Sequence, residues 1–408
     1  MKLSRDSRHR VPATADVWRD AGDFSLVLGG PFFQLLRRAH MTGSALDLLR
    51  RRIAVFVSLA WFPLLVLSAI DGQAFVSDDV VPFMLDAEIH VRFLVVLPLL
   101  IVAELVVHRR LRFVAREFLD RDLIPMGAAA RFDAAIVSAF RLRDSIVAEA
   151  LLIALVYGVG ILIVWRHYFV LDAAMWYAVP TASGPSLSLA GAWYGYVSLP
   201  IFQFLLVRWY FRLFIWSRFL WNVSRIELNL VSTHPDRVAG LGFLAYTAYA
   251  FVPLLVAHSA LLAGMIANRI FYADAQLLDF KIEIVAMLAF LMCLVFSPLL
   301  VFTPTLTALK RTAIREYGAL AQRYVREFEI KWLRSGTATG ESLLGSADLQ
   351  SLSDLGNSLE TVYGMRAAPV TRDAFVRLVI AALAPLLPLL LTMMSIEELA
   401  QRLLTVLF

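Results

Sequence analysis

Long apolar stretches alternate with polar connections along the chain. Seven stretches of 18 to 27 residues consist mainly of Leu, Val, Ala, Ile and Phe: 53–70, 91–108, 146–166, 188–211, 242–268, 282–308 and 374–394. A helix needs about 20 such residues to cross the hydrocarbon core of a bilayer. Because backbone polar groups in lipid must be satisfied within each crossing segment, the pattern predicts helices rather than strands. We expect an all-α polytopic membrane protein with six to seven transmembrane helices.

Positive charge is concentrated in alternate connections between these stretches. Of the 38 Lys and Arg residues, 31 lie in four segments: 1–52, 109–145, 212–241 and 309–373. Three other connections contain no Lys or Arg: 71–90, 167–187 and 270–280. Connections rich in Lys and Arg face the cytoplasm in helical membrane proteins. The alternation therefore predicts a cytoplasmic N-terminus and places the three loops without Lys or Arg outside.

The composition agrees with a chain embedded in lipid. Hydrophobic residues make up 60% of the sequence and charged residues 17%, whereas soluble domains contain about 45–50% apolar and about 25% charged residues. The net charge of +5 is explained by cytoplasmic connections that face anionic lipid headgroups, so it requires no nucleic-acid partner. Arg outnumbers Lys by 34 to 4. This ratio is typical of a GC-rich bacterial genome and favours a bacterial inner membrane.

The pattern divides the chain into four regions. We expect a cytoplasmic N-terminal segment, a six-helix transmembrane core, a cytoplasmic helical segment, and a final part with a seventh hydrophobic segment and an amphipathic tail: 1–52, 53–308, 309–373 and 374–408. Within the third region, apolar residues recur at a spacing of three to four over 309–333, which predicts an amphipathic helix. A second short helix is expected over 347–366.

The last hydrophobic segment, 374–394, is long enough to cross the membrane but contains Pro385 and Pro388 near its middle. Two arrangements are open. Either the segment crosses and the tail lies on the outer surface, or the segment re-enters and the tail lies inside. Crossing is favoured because Glu397 and Glu398 make a poor cytoplasmic flank.

Four ionisable residues lie at one depth near the cytoplasmic ends of the predicted spans. Glu104 is about one turn from the end of the second span, Glu149 about one turn from the start of the third, and Arg208 and Arg212 end the fourth. Charged groups inside a membrane are costly and often functional. One interpretation is a charged gate at the inner mouth of a pathway. The others are a salt-bridge network that fixes helix packing, or arginines that reach toward lipid phosphates.

His258 is the only histidine near the middle of a predicted span. A neutral imidazole there is suited to proton relay or ligand binding, but more often such a residue makes a polar contact between two helices, which is the favoured interpretation. No His or Cys residues have the spacing of a metal site, so we expect neither a metal nor a cofactor.

The segment 232–244 is the most motif-like part of the chain. Its sequence predicts the start of the fifth span, with Ser232 or Thr233 as the cap, Pro235 in the first turn and Asp236 facing the positive end of the helix dipole. Such a cap is the favoured interpretation of this segment.

Two further features of this segment bear on function. His234 and Asp236 are spaced to form a small acid–base pair, but no other catalytic residue type accompanies them. Gly240 and Gly242 permit another helix to approach closely.

The run HPDR-x-x-GLGFL, together with Asp354-Leu355-Gly356-Asn357-Ser358 and the later PLLPLLLTMM, resembles a family of uncharacterised bacterial inner-membrane proteins. The resemblance covers most of the chain. It implies a bacterial membrane location and no assigned activity.

Three functions follow as hypotheses. Prolines interrupt five of the first six spans, and together with the charge layer they favour a channel or transporter-like protein that forms a homo-oligomer. The alternative is a membrane scaffold or regulatory protein that recruits a partner through its cytoplasmic helices. A lipid-modifying enzyme that uses His234 and Asp236 is a more remote alternative. A hydrated path would favour the first, a tightly packed interior the second, and a headgroup-sized cavity at His234 the third.

Overall fold

The structure is a computed structural model that describes residues 24–39, 48–75, 81–165, 175–181, 184–334 and 345–393. The helices in these residues are α1 (Pro31–Arg38), α2 (Leu49–Ile70), α3 (Ala87–Asp120), α4 (Ala129–Arg143), α5 (Ile146–Leu155, continued by Val156–Trp165), α6 (Leu189–Ser224), α7 (Leu241–Tyr272), α8 (Leu277–Arg334), α9 (Ala347–Tyr363) and α10 (Arg372–Thr392). The expected amphipathic tail lies outside the described residues.

Six of these helices are long and apolar enough to cross a membrane: α2, α3, α6, α7, α8 and α10. This result confirms the prediction of a helical fold with six helices that are able, by length and composition, to cross a membrane. The third predicted span corresponds to α5, whose apolar part, Ile146–Gly160, is shorter. Within the described residues, the six long helices therefore include α10 but not α5, together with five helices of the predicted six-helix core.

A small β-hairpin departs from the all-α expectation. Strand β1 (Ala178–Thr181) pairs antiparallel with β2 (Gly184–Leu187), so that Ala178 faces Leu187 in the ladder. Prolines in both strands suit a short, two-stranded hairpin rather than a central strand of a larger sheet. The hairpin lies in a connection, and the bundle itself is helical.

The helix α10 runs beside α7 from one end to the other. Its first half contacts the beginning of α7, and its second half, Ala384–Thr392, tightens to a 3-10 helix around Pro388. Leu386 and Leu389 pack with Ile266 near the end of α7 and with Leu277 at the start of α8. The two prolines therefore tighten α10 without reversing it, and crossing of the membrane by this segment stays a prediction.

The connections rich in arginine meet at one end of the bundle, which we call the arginine-rich end. Arg143 on α4 donates from Nη1 to the carbonyl oxygen of Ser25 at 2.6 Å. The backbone N–H of Asn229 donates to the carbonyl oxygen of Leu123 at 2.9 Å. The N-terminal segment 24–39, the α3–α5 connection and the α6–α7 loop thus lie together.

The loops without Lys and Arg meet at the opposite end, which we call the aspartate end. Asp86 is buried there and accepts hydrogen bonds from Trp176 Nε1 at 2.9 Å and from Asn268 Nδ2 at 2.8 Å. Asp71 accepts from the backbone N–H of Ala190 at 3.3 Å. The charge alternation in the sequence therefore corresponds to two distinct ends of the folded bundle.

The helix α8 continues far beyond the bundle. Its 58 residues extend over roughly 87 Å at 1.5 Å per residue, whereas the hydrocarbon core is about 30 Å thick. Its far part packs against α9: Tyr324 donates to the carbonyl oxygen of Asp348 at 3.0 Å, and Lys331 and Trp332 donate to the Asp348 carboxylate at 2.7 and 3.0 Å. Hydrogen bonds from Lys331 and then Trp332 lower the pKa of Asp348. We call residues 309–334 together with α9 the arm.

The direction of insertion is open to a direct test. In a background with the exposed Cys293 replaced by Ser, we expect Ala273→Cys at the aspartate end to react with a membrane-impermeant thiol reagent in intact cells. Met126→Cys at the arginine-rich end, where Met126 is 90% exposed, should react only after permeabilisation. Equal labelling of both positions in intact cells would contradict the orientation inferred from charge.

Candidate functional site

Five charged side chains from four helices form a buried cluster near the arginine-rich end. Glu104 on α3 is 3% exposed and stands at its centre. Its Oε2 accepts from Arg52 Nη2 on α2 at 2.5 Å, and its Oε1 accepts from Arg212 Nη2 on α6 at 2.7 Å. Arg208 Nη1, one turn earlier on α6, lies 3.5 Å from the same Oε1. Together with Glu149 on α5, these residues are called the charge cluster below.

Glu149 connects the charge cluster to the N-terminal segment. Its Oε1 lies 3.3 Å from Arg208 Nη2, and its Oε2 accepts the backbone N–H of Phe32 at 2.7 Å. The carboxylate therefore caps the first turn of α1, where a negative charge is favourable. The Arg208 guanidinium also lies 4.6 Å from the centre of the Phe32 ring, which adds a cation–π contact.

Gly30 makes this approach of α1 possible. Its φ of +85° is in the left-handed region, and a Cβ at this position would lie 2.9 Å from the carbonyl oxygen of Arg143. A side chain at Gly30 would push α1 away from Glu149. The bend at this glycine places α1 against the charge cluster.

The structure brings together the four residues singled out in the sequence, Glu104, Glu149, Arg208 and Arg212, and adds Arg52. Arg52 follows two exposed arginines at the start of α2, where it resembles a flanking charge that faces the cytoplasm. It is nevertheless only 1% exposed. In the sequence, Arg52 differs from the two preceding arginines only in its position along the helix, which turns its side chain toward the bundle.

A second ionic cluster lies near the aspartate end and was not anticipated. Arg92 on α3 donates hydrogen bonds to Glu88, one turn earlier, and to Tyr194 on α6. Asp86 is close enough to act electrostatically on Arg92. Glu88 and Arg92 are four residues apart, a spacing at which two charged side chains pair on one face of a helix. The sequence pattern does not reveal the pair, because it predicts a loop over 71–90.

His258 makes a polar contact between helices. Its Nδ1 lies 2.7 Å from the carbonyl oxygen of Leu254, and its Nε2 lies 2.6 Å from the hydroxyl oxygen of Tyr210 on α6. Because a carbonyl can only accept, Nδ1 carries the proton and Nε2 accepts from Tyr210. Nδ1 thus bonds within α7 and Nε2 links α7 to α6, as a structural contact requires.

The loop before α7 is organised by Asp236. Its Oδ1 accepts the backbone N–H groups of Val238 at 2.9 Å and Gly240 at 3.2 Å, and its Oδ2 accepts that of Gly242 at 2.8 Å. Burial raises the pKa of Asp236, but these three donors outweigh it, so the pKa lies below the usual range. His234 Nδ1 lies 2.9 Å from the same carboxylate.

The expected helix start is wrong in detail. The helix α7 begins at Leu241, after Gly240 with a φ of +97°, so Ser232 and Thr233 do not cap it and Pro235 lies before its first turn. Asp236 does bind the helix start, as predicted.

Gly242 has a different role from the one expected. A Cβ on Gly242 would lie 2.8 Å from Asp236 Oδ2. The residue therefore makes room for a carboxylate rather than for a neighbouring helix.

The same loop supports the turn before α10. Arg366 Nη2 donates to the carbonyl oxygen of Asp236 at 2.9 Å, and the Arg366 backbone N–H donates to that of Arg237 at 2.8 Å. Lys310 on α8 donates to the carbonyl oxygen of Met365 at 2.7 Å. With its carboxylate and carbonyl oxygens so engaged, Asp236 acts as a structural acceptor, and its geometry gives no support to lipid-modifying catalysis by His234 and Asp236.

The part of the chain that the structure describes holds no group of three or more His, Cys, Asp or Glu side chains suited to bind a metal ion. Two pockets, of about 500 and 680 Å³, both follow the surface of α8. Neither is lined by a member of the charge cluster or by His234.

Comparison with known proteins gives no relative for this chain: no protein-family model, no curated protein and no solved structure matches it. The resemblance of the HPDR-x-x-GLGFL segment to a family of bacterial membrane proteins therefore stays a prediction, and the function has to be argued from the geometry.

The charge cluster makes a quantitative prediction. In a thermal-unfolding double-mutant cycle on Glu104→Gln and Arg212→Gln, we expect a coupling free energy of about 1.5 kcal/mol or more, because removing either partner strands the other in a buried site. The matched control is the exposed pair Arg116 and Asp120, whose side chains are 58% and 51% exposed. Its coupling should stay below about 0.5 kcal/mol. Equal coupling in the two cycles would contradict the assigned role of Glu104.

A second prediction concerns the loop before α7. The change Gly242→Ala places a methyl group against the Asp236 carboxylate and should lower the free energy of unfolding by about 1–3 kcal/mol. The control is Gly356→Ala inside α9, where a Cβ meets nothing within 4 Å. That change should be neutral or stabilising by up to about 1 kcal/mol, because Ala favours helix. Thermal melts in mild detergent measure both, and a neutral Gly242→Ala would refute the fit inferred for this site.

Proposed function

We propose that the protein is a membrane scaffold or regulatory protein that assembles through its arm. The observation that carries the proposal is the length of α8, which continues well beyond any bilayer and presents apolar side chains there. Leu320, Val325, Ile330 and Leu333 are 48%, 40%, 56% and 73% exposed. The arm also carries many charges, which would be costly in hydrocarbon. A protein surface is therefore the partner that suits these apolar side chains.

The pockets on α8 support this proposal. The smaller is lined by Ala321, Gln322 and Val325 among others, and the larger by Thr303, Pro304 and Thr307 among others. At 3.6 residues per turn these two sets lie on the same face of the helix. The face combines apolar side chains such as Val325 and Ile330 with arginines such as Arg326, so it suits a partner helix that is both apolar and charged.

We infer that the occupant of this face is a second copy of the chain. The α8 part of the arm, 309–334, contains seven Lys and Arg against three Glu, whereas 347–363 in α9 contains three acidic residues and no Lys or Arg. Asp354 and Glu360 on α9 are exposed. The arm thus offers both signs of charge, and α9 of one copy complements α8 of the next.

A channel or transporter-like protein is the second candidate. The charge cluster favours it, because buried ionisable groups in a membrane commonly mark an ion path. Against it, the bundle interior is filled by large side chains such as Trp209, Trp216 and Phe219, each at most 1% exposed. This dense packing of the interior favours the scaffold.

The proposed setting is a bacterial inner membrane, with the arginine-rich end and the arm in the cytoplasm. The excess of Arg over Lys and the charge alternation support this setting. Anionic lipid headgroups are the natural contacts of the exposed arginines at that end.

Self-association through the arm is tested with Val325→Asp. Buried charge in an interface is costly, so we expect about tenfold weaker self-association with membrane insertion unchanged. The measurement is molar mass by light scattering over a dilution series in mild detergent. The control is Val137→Asp on α4, a residue 39% exposed and thus matched to the 40% of Val325, but outside the arm. An unchanged mass for Val325→Asp would point to assembly elsewhere and overturn the proposal.

Ion flux separates the two candidates. Proteoliposomes with wild-type protein should show no more ion flux than empty liposomes if the protein is a scaffold. Flux that rises with protein content and changes in Glu149→Gln would overturn the scaffold and support the channel.

A further inference from the structure

The charge cluster holds more positive than negative groups. Arg52, Arg208 and Arg212 supply three guanidinium groups, and Glu104 and Glu149 supply two carboxylates, which leaves an excess of one positive charge. The charged groups that act on Arg208 are the other four members. An unbalanced charge in a low-dielectric interior is strongly unfavourable. The cluster therefore calls for one more negative group.

Arg52 shows where that group would bind. The residue is 1% exposed, and its Nη2 is engaged by Glu104. Its Nε and Nη1 are buried and have no hydrogen-bond partner among the described residues. These two nitrogens carry three of the five N–H groups of a guanidinium. A buried charged donor without an acceptor is unfavourable. The excess positive charge of the charge cluster is therefore accompanied by unpaired N–H donors on Arg52.

We propose that the charge cluster binds one small monovalent anion, of the halide class, at the free N–H groups of Arg52. One such ion both neutralises the excess charge and accepts hydrogen bonds from Nε and Nη1. A lipid phosphate offers similar chemistry, but Arg52 is enclosed by the bundle, and an ion of the size of chloride fits an enclosed site better than a phospholipid headgroup. This inference concerns the bundle and is independent of the arm.

The test measures thermal unfolding of the full-length protein in nanodiscs of zwitterionic lipid, with sodium chloride exchanged for sodium gluconate at constant ionic strength. For the wild type we expect Tm to rise with chloride and then saturate, by on the order of 2 °C. Arg52→Gln removes the excess charge and the free donors, so its Tm should not depend on chloride. Glu149→Gln raises the excess to two positive charges and should show a larger chloride-dependent rise than the wild type.

Each other result overturns the proposal. If the Tm of neither the wild type nor Glu149→Gln depends on chloride, water alone binds the free N–H groups of Arg52. If Arg52→Gln responds as the wild type does, the anion binds elsewhere. If nanodiscs with anionic phospholipid abolish the chloride response, the headgroup of an anionic lipid supplies the charge. If Arg52→Gln fails to fold, the comparison of the wild type with Glu149→Gln still decides. A bound anion predicts a larger chloride-dependent rise in Tm for Glu149→Gln, whereas water at the same donors predicts no rise in either protein.

Discussion

Glu104 and the arginines around it impose the main constraint on the bundle. A carboxylate removed from water is tolerated only when charged partners and hydrogen bonds replace its hydration. Glu104 receives these from Arg52 on α2 and Arg212 on α6, so three helices must hold a fixed rotation and depth relative to one another. Apolar packing against lipid and neighbouring helices does little to fix the rotation and depth of a helix, because lipid tails are as apolar as Leu.

The constraint extends to the N-terminal segment through Glu149. Its carboxylate pairs with Arg208 through one oxygen and accepts the Phe32 N–H through the other. The carboxylate of Glu149 on α5 therefore contacts both α6 and α1. Phe24 and Leu36 of this segment are at most 1% exposed. The N-terminal segment, which the sequence predicts to be a polar cytoplasmic tail, thus contributes core residues. Its position depends on the ion pair between Glu149 and Arg208.

The spans were predictable because lipid allows few solutions for a backbone: an apolar stretch of sufficient length has to be helical. The depth of Glu104 and Arg212 followed from counting along those helices. The partners did not follow, because pairing depends on helix rotation and on contacts distant in the chain. The sequence pattern therefore predicts a flanking charge at Arg52, and it places Asp86, which binds Trp176 and Asn268, in a loop. The start of α7 was misplaced for a local reason: Arg237 and Ala239 have positive φ, a conformation that propensity disfavours and that the Asp236 carboxylate stabilises.

The charge cluster and the ionic cluster around Arg92 also give the bundle an electrical polarity. Arginines are in excess over Glu104 and Glu149 near one end, whereas Asp86 and Glu88 outnumber Arg92 near the other. In the proposed orientation the positive cluster lies toward the cytoplasm, the negative side of an energised bacterial membrane. Moving one elementary charge through the whole potential requires about 2.3 kcal/mol per 100 mV. The resting voltage therefore stabilises this arrangement, and any motion that carried α3 and its charges outward would be voltage-dependent.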